Sequence, residues 1–419
     1  MHFGTRYSQF KWAVIPAFYW LQYIFFYDTL NLRNIKILVL VFAIRREQQE
    51  LTTERYILWI GVTLLWFAAI SAAQYPLRKR CGIPIRIILS IAKLLTGIFI
   101  AYLFIAVEAP FVYTTGYVFV PLHIVLLADT VGDILTLPMI IKKRKERPYH
   151  NRVQITICAV CTLIYLTFGT VNMQIVSADR FTVVSDKLRQ DHRFVFVADL
   201  HVGSSQSMQT VKNTIRKIDE ENADFVLLGG DIVDEYTTKE EMKQTFELLG
   251  SIKAPVYFIY GNHDTQPSGD LVGGPFYTQD ELESAITSNG ISILKDQLVS
   301  ISDDLVVLGR EDITMDERKP VSELPLRPDN VFVLSVDHSP YNTEDIIETG
   351  ADLQLSGHTH AGQLFPLQIF YSSAGYDVYG FYQHGNTDVY VSSGVSGWCY
   401  PFRTEAGCQY QVISLEAKG

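Results

Sequence analysis

The sequence predicts an α-helical, multi-span membrane domain followed by an α/β domain built on a largely parallel sheet. Two observations carry this. Residues 1–176 hold 18 Lys+Arg against 8 Asp+Glu, whereas residues 177–419 hold 17 against 37, so a balance of +10 precedes one of −20. The long apolar runs all fall in the basic part, while the acidic part alternates strand-length apolar runs with helical spacing. The resulting division is a membrane domain at 1–176, a polar linker at 177–192 and a globular domain at 193–419.

Composition narrows the class further. A chain of 419 residues with 48% hydrophobic, 12% aromatic and only 19% charged residues is not mainly disordered. It contains no repeat or heptad array. Its 5 cysteines are scattered and spell no CxxC zinc site.

Four stretches reach the roughly 20 residues that a helix needs to cross a hydrocarbon core. They are Tyr56–Tyr75, Arg86–Val107, Tyr117–Ile141 and Val153–Val176. Trp12–Ile44 reads as one further span followed by a partly interfacial segment, which makes five. The first apolar run lacks a small-residue cleavage site, so no cleavable signal peptide is expected.

Orientation follows from the Lys/Arg bias of short loops. Lys142, Lys143, Arg144, Lys145, Arg147 and Arg152 mark one cytoplasmic loop, and Arg78, Lys79 and Arg80 another. Glu108–Gly116 has neither Lys nor Arg. This places the N-terminus inside and everything after the last span outside the cytoplasm.

Three ionisable residues fall within expected spans: Lys93, Asp129 and Asp133. At 1.5 Å per residue, Lys93 and Asp133 lie about 10 and about 12 Å from the cytoplasmic ends of their helices. A Lys93–Asp133 pair between neighbouring helices is expected, either as a strut that neutralises two costly charges or as part of a proton or ion path or a lipid headgroup site.

In the acidic part, Phe194–Ala198 reads as a strand and Met208–Asn222 as a helix, with Val211, Ile215 and Ile218 on one face. Asp224–Leu228 (strand), Lys239–Leu249 (helix) and Pro255–Tyr260 (strand) follow. Alternation of this kind implies a parallel sheet covered by helices, with ligand sites beyond the carboxyl ends of the strands.

The unusual residues stand at those ends. The first strand leads into Asp199-Leu200-His201, the second into Gly229-Gly230-Asp231 and the third into Gly261-Asn262-His263-Asp264. Val331–Val336 leads into Asp337-His338-Ser339-Pro340, and Leu353–Leu355 into Ser356-Gly357-His358-Thr359-His360-Ala361-Gly362. In an extended segment residues i and i+2 point the same way, so Asp199 with His201, and His358 with His360, can face one point. Carboxylate, imidazole and amide oxygen suit divalent Mn, Fe, Zn or Mg rather than a thiolate site. Seven such ligands fit two ions sharing a carboxylate, at the roughly 3.5–4 Å spacing used for displacement at phosphorus.

The order Asp-x-His, Gly-Asp, Gly-Asn-His-Asp, His, Gly-His-x-His resembles the calcineurin-like metallophosphoesterase superfamily. Gly350–Gln363 is similar to its membrane-anchored bacterial branch. The resemblance implies two mixed sheets flanked by helices (αββα) over 193–419. It also implies that Asp199, His201 and His360 hold one metal, that Asn262, His338 and His358 hold the other, and that Asp231 bridges them. His263 would stabilise the phosphoryl group and protonate the leaving oxygen, while a hydroxide bridging the metals attacks phosphorus. Asp234 and Asp264 would orient ligand histidines by hydrogen bonds.

Other residues read less sharply. Arg310, after an apolar strand, either reaches a substrate phosphate or sits in an ordinary turn. Arg403 is a candidate anion contact, and His384 lies in a hairpin signal. Cys399 and Cys408 are either a cross-strand disulfide or two buried thiols.

The expected function is a membrane-anchored dimetal phosphoesterase, multi-pass in the cell membrane, with its site outside the cytoplasm. Its substrate would be lipid-linked or a small membrane-proximal phosphate. The alternatives are a UDP-glycolipid pyrophosphatase on the cytoplasmic face and a sensor or transporter that binds a phosphorylated ligand. The −20 balance argues against nucleic acid, which needs a basic footprint.

Overall fold

The structure, a computed structural model, describes residues 51–80, 83–106, 120–142, 147–269, 273–325 and 330–418. Four helices come first: α1 (Leu51–Arg80), α2 (Ile83–Ala106), α3 (Val120–Lys142) and α4 (Arg147–Gln174). Two segments, Val120–Met139 and Arg152–Gln174, are long and apolar enough to cross a membrane. The apolar stretches Ile60–Ala72 of α1 and Ile87–Thr96 of α2 are shorter than a span. The expected span within Trp12–Ile44 lies outside the described residues.

Lys93 of α2 reaches both acids of α3. Its Nζ donates to Asp129 Oδ2 at 2.5 Å and also to Asp133 Oδ2. Ser90 Oγ and Gln154 Nε2 donate to Asp133 as well, so the strut expected from helix depth is a network drawing on three helices.

Ile175 alone separates α4 from β1 (Val176–Ser185). This corrects the linker expected at 177–192. The stretch is an edge strand, paired in parallel over its whole length with β12 (Cys408–Ala417). Its outward residues face water, which gave the segment its polar look.

The remaining elements are β2 (His192–Val197), α5 (Met208–Glu220), β3 (Phe225–Gly229), α6 (Lys239–Gly250), β4 (Val256–Ile259), α7 (Gln279–Ser288), β5 (Ser292–Ile293) and β6 (Gln297–Ser300). They continue with β7 (Leu305–Gly309), β8 (Phe332–Val336), α8 (Thr343–Thr349), β9 (Leu353–Ser356), α9 (Leu367–Ser373), β10 (Gly380–His384) and β11 (Thr387–Val391). Capping boxes start two of the helices, with Thr238 and Glu241 at α6 and Thr278 and Glu281 at α7.

Two six-stranded mixed sheets result, ordered β1-β12-β2-β3-β4-β5 and β10-β11-β9-β8-β7-β6. Strand β2 shows why they stack. Phe194 and Phe196 point into the core between the sheets, with Leu227, Val307, Leu334 and Leu355. Val195 and Val197 point the other way, towards Val211, Ile215, Met242 and Phe246 of α5 and α6. Burial on both faces explains the unbroken apolar run of the strand. The stacking leaves the carboxyl ends of β2, β3, β4, β8 and β9 at one edge of the sandwich.

Cys399 and Cys408 are buried thiols, not a disulfide.

Candidate metal centre

Five loops leave those strand ends, and each carries residues singled out in the sequence. Two groups converge. Asp199, His201 and His360 bring ligand-type atoms within 4.8 Å of one another, and Asp231, His338 and His358 do the same. Asp231 Oδ2 lies between the groups, 3.0 Å from His338 Nε2 and 3.6 Å from His201 Nε2.

The convergence has a different cause from the one expected. Asp199 (φ 56°), His201 (φ 42°), Asp231 (φ 52°), His358 (φ 71°) and His360 (φ 50°) are all left-handed rather than extended. Each such residue costs about 1–3 kcal/mol and persists only where its surroundings over-determine it. Here the loops brace one another: Asp199 N–H donates to Gly230 O (3.0 Å) and His201 N–H to Asp231 O (3.1 Å). Gly230 admits this approach, since a Cβ there would stand 2.6 Å from Gly261 N and 2.7 Å from His338 Nδ1.

The imidazoles are oriented from behind. His338 Nδ1 donates to Gly229 O (2.8 Å) and His360 Nδ1 to Ser396 O (3.0 Å), while His201 Nδ1 faces Asp234 Oδ2 at 3.2 Å. His358 Nδ1 meets Asn262 Oδ1 at 2.8 Å, which brings Asn262 beside the second group. What remains in the middle is unsatisfied. Asp199 Oδ2, His201 Nε2 and His338 Nε2 are buried with no hydrogen-bond partner. Buried polar atoms are normally paired, so three orphans aimed at one region are the mark of a site built for a cation.

The electrostatics divide the imidazoles: burial opposes protonation of His338, but Asp231 prevails and raises it well above its usual range, while two others go down. Burial, then repulsion from His338, pushes His358 down to about 3. Burial, with His201 and Arg403 nearby, holds His360 well below its usual range. Both therefore present neutral imidazole, the form that binds metals.

His263 stands at the rim. Its N–H donates to Asp231 Oδ1 (2.8 Å), and its Nδ1 contacts both oxygens of Glu235 at 2.9 Å. Burial opposes its protonation, but Asp231 and Glu235 prevail and raise it to about 9. The Trp398 ring packs against it. Neither Glu235 nor Trp398 is marked by a motif; Glu235 follows Asp234 in a run of acids, and only the fold separates their roles.

Three expected roles are corrected. Asp264 orients no histidine; it accepts the backbone N–H groups of Asp231 (2.9 Å), Ile232 (2.9 Å), Val233 (3.2 Å) and Gly261 (2.7 Å), stapling two loops together. Burial and the nearby Asp231 carboxylate raise it to about 7. Arg310 cannot meet a substrate phosphate, because its guanidinium is buried against Asp296 and Lys319 O. Arg403 is no anion contact either, being wholly buried and bound to the carbonyls of His360 (2.8 Å), Ser396 (2.9 Å) and Ser393.

The centre touches the apolar helices. Trp398, Cys399, Tyr400 and Phe402 pack with Val120 and Ile124 of α3 and Leu166 of α4. His123 Nε2 donates to Phe365 O (2.8 Å), Tyr165 Oη to Thr404 Oγ1 (3.1 Å), and Arg403 N–H to Gly169 O (3.1 Å). A third acid-and-thiol group, Asp129, Asp133 and Cys158, lies among the helices, where Lys93 occupies both carboxylates.

Residues 192–362 match the family model for calcineurin-like phosphoesterases. The chain is 28% identical over 244 residues to a metallophosphoesterase of Helicobacter pylori, covering 56% of this chain and 62% of that one. It is 26% identical over 250 residues to a Danio rerio transmembrane protein with metallophosphoesterase domain, covering 54% and 53%. It is 28% identical over 241 residues to the phosphodiesterase YaeI of Escherichia coli, covering 54% and 81%. The chain thus spans 62% of the length of its Helicobacter relative.

Proposed function

From the match of residues 192–362 to the family model for calcineurin-like phosphoesterases, we propose that this protein is a metal-dependent phosphoesterase held at a membrane, acting on an amphiphilic or membrane-proximal phosphate ester or pyrophosphate. The observation that carries the reading is the pair of convergent groups sharing Asp231, with orphaned ligand atoms at their centre. Asp199, His201 and His360 would hold one divalent cation, and Asn262, His338 and His358 the other, with Asp231 common to both. Two cations so held supply Lewis acidity at the phosphoryl oxygens and a lowered pKa for coordinated water.

The chain's own residues supply the rest. Asp234 fixes the ring of His201 through Nδ1. Glu235 holds Nδ1 of His263, leaving Nε2 to donate a proton to the departing oxygen. The backbone N–H of His263 on Asp231 keeps that ring in register with the shared carboxylate. Trp398 covers one face of His263 and limits water there.

Membrane attachment is supported by α4, whose Val160, Leu163, Ile164, Phe168 and Val171 are exposed, as a helix facing lipid requires. The Lys/Arg bias of the short loops supports a multi-pass arrangement with the catalytic domain outside the cytoplasm.

The test uses the full chain purified in detergent with added Mn2+, assayed on 4-nitrophenyl phosphate and bis(4-nitrophenyl) phosphate. Turnover that Asp231→Asn abolishes is expected; a variant as active as the wild type would sink the reading. Orientation is checked separately by labelling Asp280→Cys in intact cells with an impermeant maleimide. Protection from the label would move the domain to the cytoplasmic face.

A further inference from the structure

One wall of the centre is aromatic. Tyr341 packs edge-on against the ring of His358, with centroids 5.0 Å apart. Tyr376 meets Tyr341 at 5.4 Å, and Tyr371 meets Tyr376 at 6.3 Å. These rings come from two segments, Tyr341 from the loop after β8 and the others from α9 and its end. Tyr371 then packs on the apolar cluster that contains Val120, Ile124 and Leu166. The row of rings begins on a candidate metal ligand and ends on the apolar helices.

The row is not sealed. Tyr341 is 41% exposed and Tyr376 46%, while Phe365, just before α9, and Ile369, within it, are 40% and 56% exposed. Large apolar side chains left exposed beside a catalytic centre mark a surface meant to be covered. Its continuity says by what. His123 near the start of α3 donates to Phe365 O, so the patch adjoins helices whose outward side chains are themselves exposed and apolar. Charge says the same, since no Lys or Arg occurs from Tyr341 to Phe402. That stretch gives a polyphosphate or nucleic-acid ligand no Lys or Arg to bind, whereas its exposed rings and Ile369 can lie along a hydrocarbon.

We propose that the strip formed by Tyr341, Tyr376, Ile369 and Phe365 seats the hydrocarbon tail of the substrate, with the phosphate at the metal centre and the tail running towards α3. This rests on the phosphoesterase reading and adds to it the place where the apolar part is recognised. Tail contact made only on this strip separates long-chain from short-chain esters with the same reacting group.

The experiment compares 4-nitrophenyl hexadecyl phosphate with 4-nitrophenyl methyl phosphate, using the full chain in nanodiscs with Mn2+. The wild type should favour the long ester. Ile369→Ser and Tyr376→Ser should lower the long-to-short ratio of kcat/KM roughly tenfold, mainly through KM. Ile369 is exposed, so its substitution leaves folding intact. A wild type without chain-length preference overturns the inference. So does a parallel loss on both esters, which would make the strip a support for His358. Turnover of neither ester by the wild type fails the phosphoesterase reading itself, and the inference with it.

Discussion

The ring of Trp398 lies 4.6 Å, centroid to centroid, from the ring of His263. Trp398 also packs in the cluster that joins α3 and α4 to the catalytic domain. One indole therefore spans the distance between an apolar helix pair and the residue proposed to protonate the leaving group.

That placement makes His263 and Glu235 separable by leaving group. His263→Gln should lower kcat roughly 100- to 1,000-fold on an alkyl phosphate, within the usual range for general acid catalysis. On a 4-nitrophenyl ester, whose leaving oxygen needs no proton, the loss should be much smaller. Glu235→Gln, which keeps an acceptor for Nδ1 but removes the charge, should show the same selectivity at about a tenth of the size. Equal losses on both esters would remove His263 from the acid role.

Cation binding should appear as stability. Three orphaned ligand atoms, with crowded imidazoles and carboxylates around them, would gain their partner from a bound cation. Chelation should lower the thermal midpoint, and Mn2+ at about 100 times its dissociation constant should restore about 2.7 kcal/mol. An unfolding curve that ignores both EDTA and metal would contradict the centre.

A remote carboxylate sets an acid limit. Asp304 is buried, which alone would raise its pKa, but Ser302, His192 and the N–H groups of Arg189 (2.6 Å) and Gln190 hold it below the usual carboxylate range. A depressed folded pKa contributes stability above the unfolded value, and that stability is lost as pH falls through the folded one. Asp304→Asn should therefore cost about 2 kcal/mol at pH 7, with the gap to wild type closing below about pH 4. Urea melts at about pH 7 and about pH 3 decide it, since the gap narrows only below the unfolded pKa; a gap independent of pH would assign the loss to packing.

The seam between helix and domain is tight at Gly169. A Cβ there would come no further than 2.7 Å from three ring carbons of Phe402. Gly169→Val should destabilise the protein by about 1–3 kcal/mol. It should also shift tryptophan emission through the displaced 398–402 loop. An unchanged melt and spectrum would mean that α4 does not press on that loop.

The seven residues Asp199, His201, Asp231, Asn262, His338, His358 and His360 were legible because residue type and position after a strand sufficed to mark them. Their geometry was not, since alternation assumes extended backbone and five of them are left-handed. Strand β2 was plain as a run buried on both faces, whereas β1 was hidden because an edge strand shows water half its side chains. Arg310 and Arg403 misled for one reason. A basic residue near a site suggests an anion, and nothing in the chain reveals that backbone carbonyls and Asp296 hold both guanidiniums from within. Glu235 stands among acids, and its selection by His263 depends on loops 28 residues apart.

A single residue, Ile175, joins α4 to β1, and β1 is at once locked to β12 over 10 residues. A flexible tether lets an enzyme sweep a volume, with an effective concentration set by linker length. Here one residue joins the helix to a sheet, so a protein anchored by that helix, as proposed, would hold its centre at one height above the bilayer. Such a centre would be a gauge, favouring esters whose phosphate stands at that level. Because helix tilt follows hydrocarbon thickness, turnover on a lipid ester would track the thickness of the membrane that holds it.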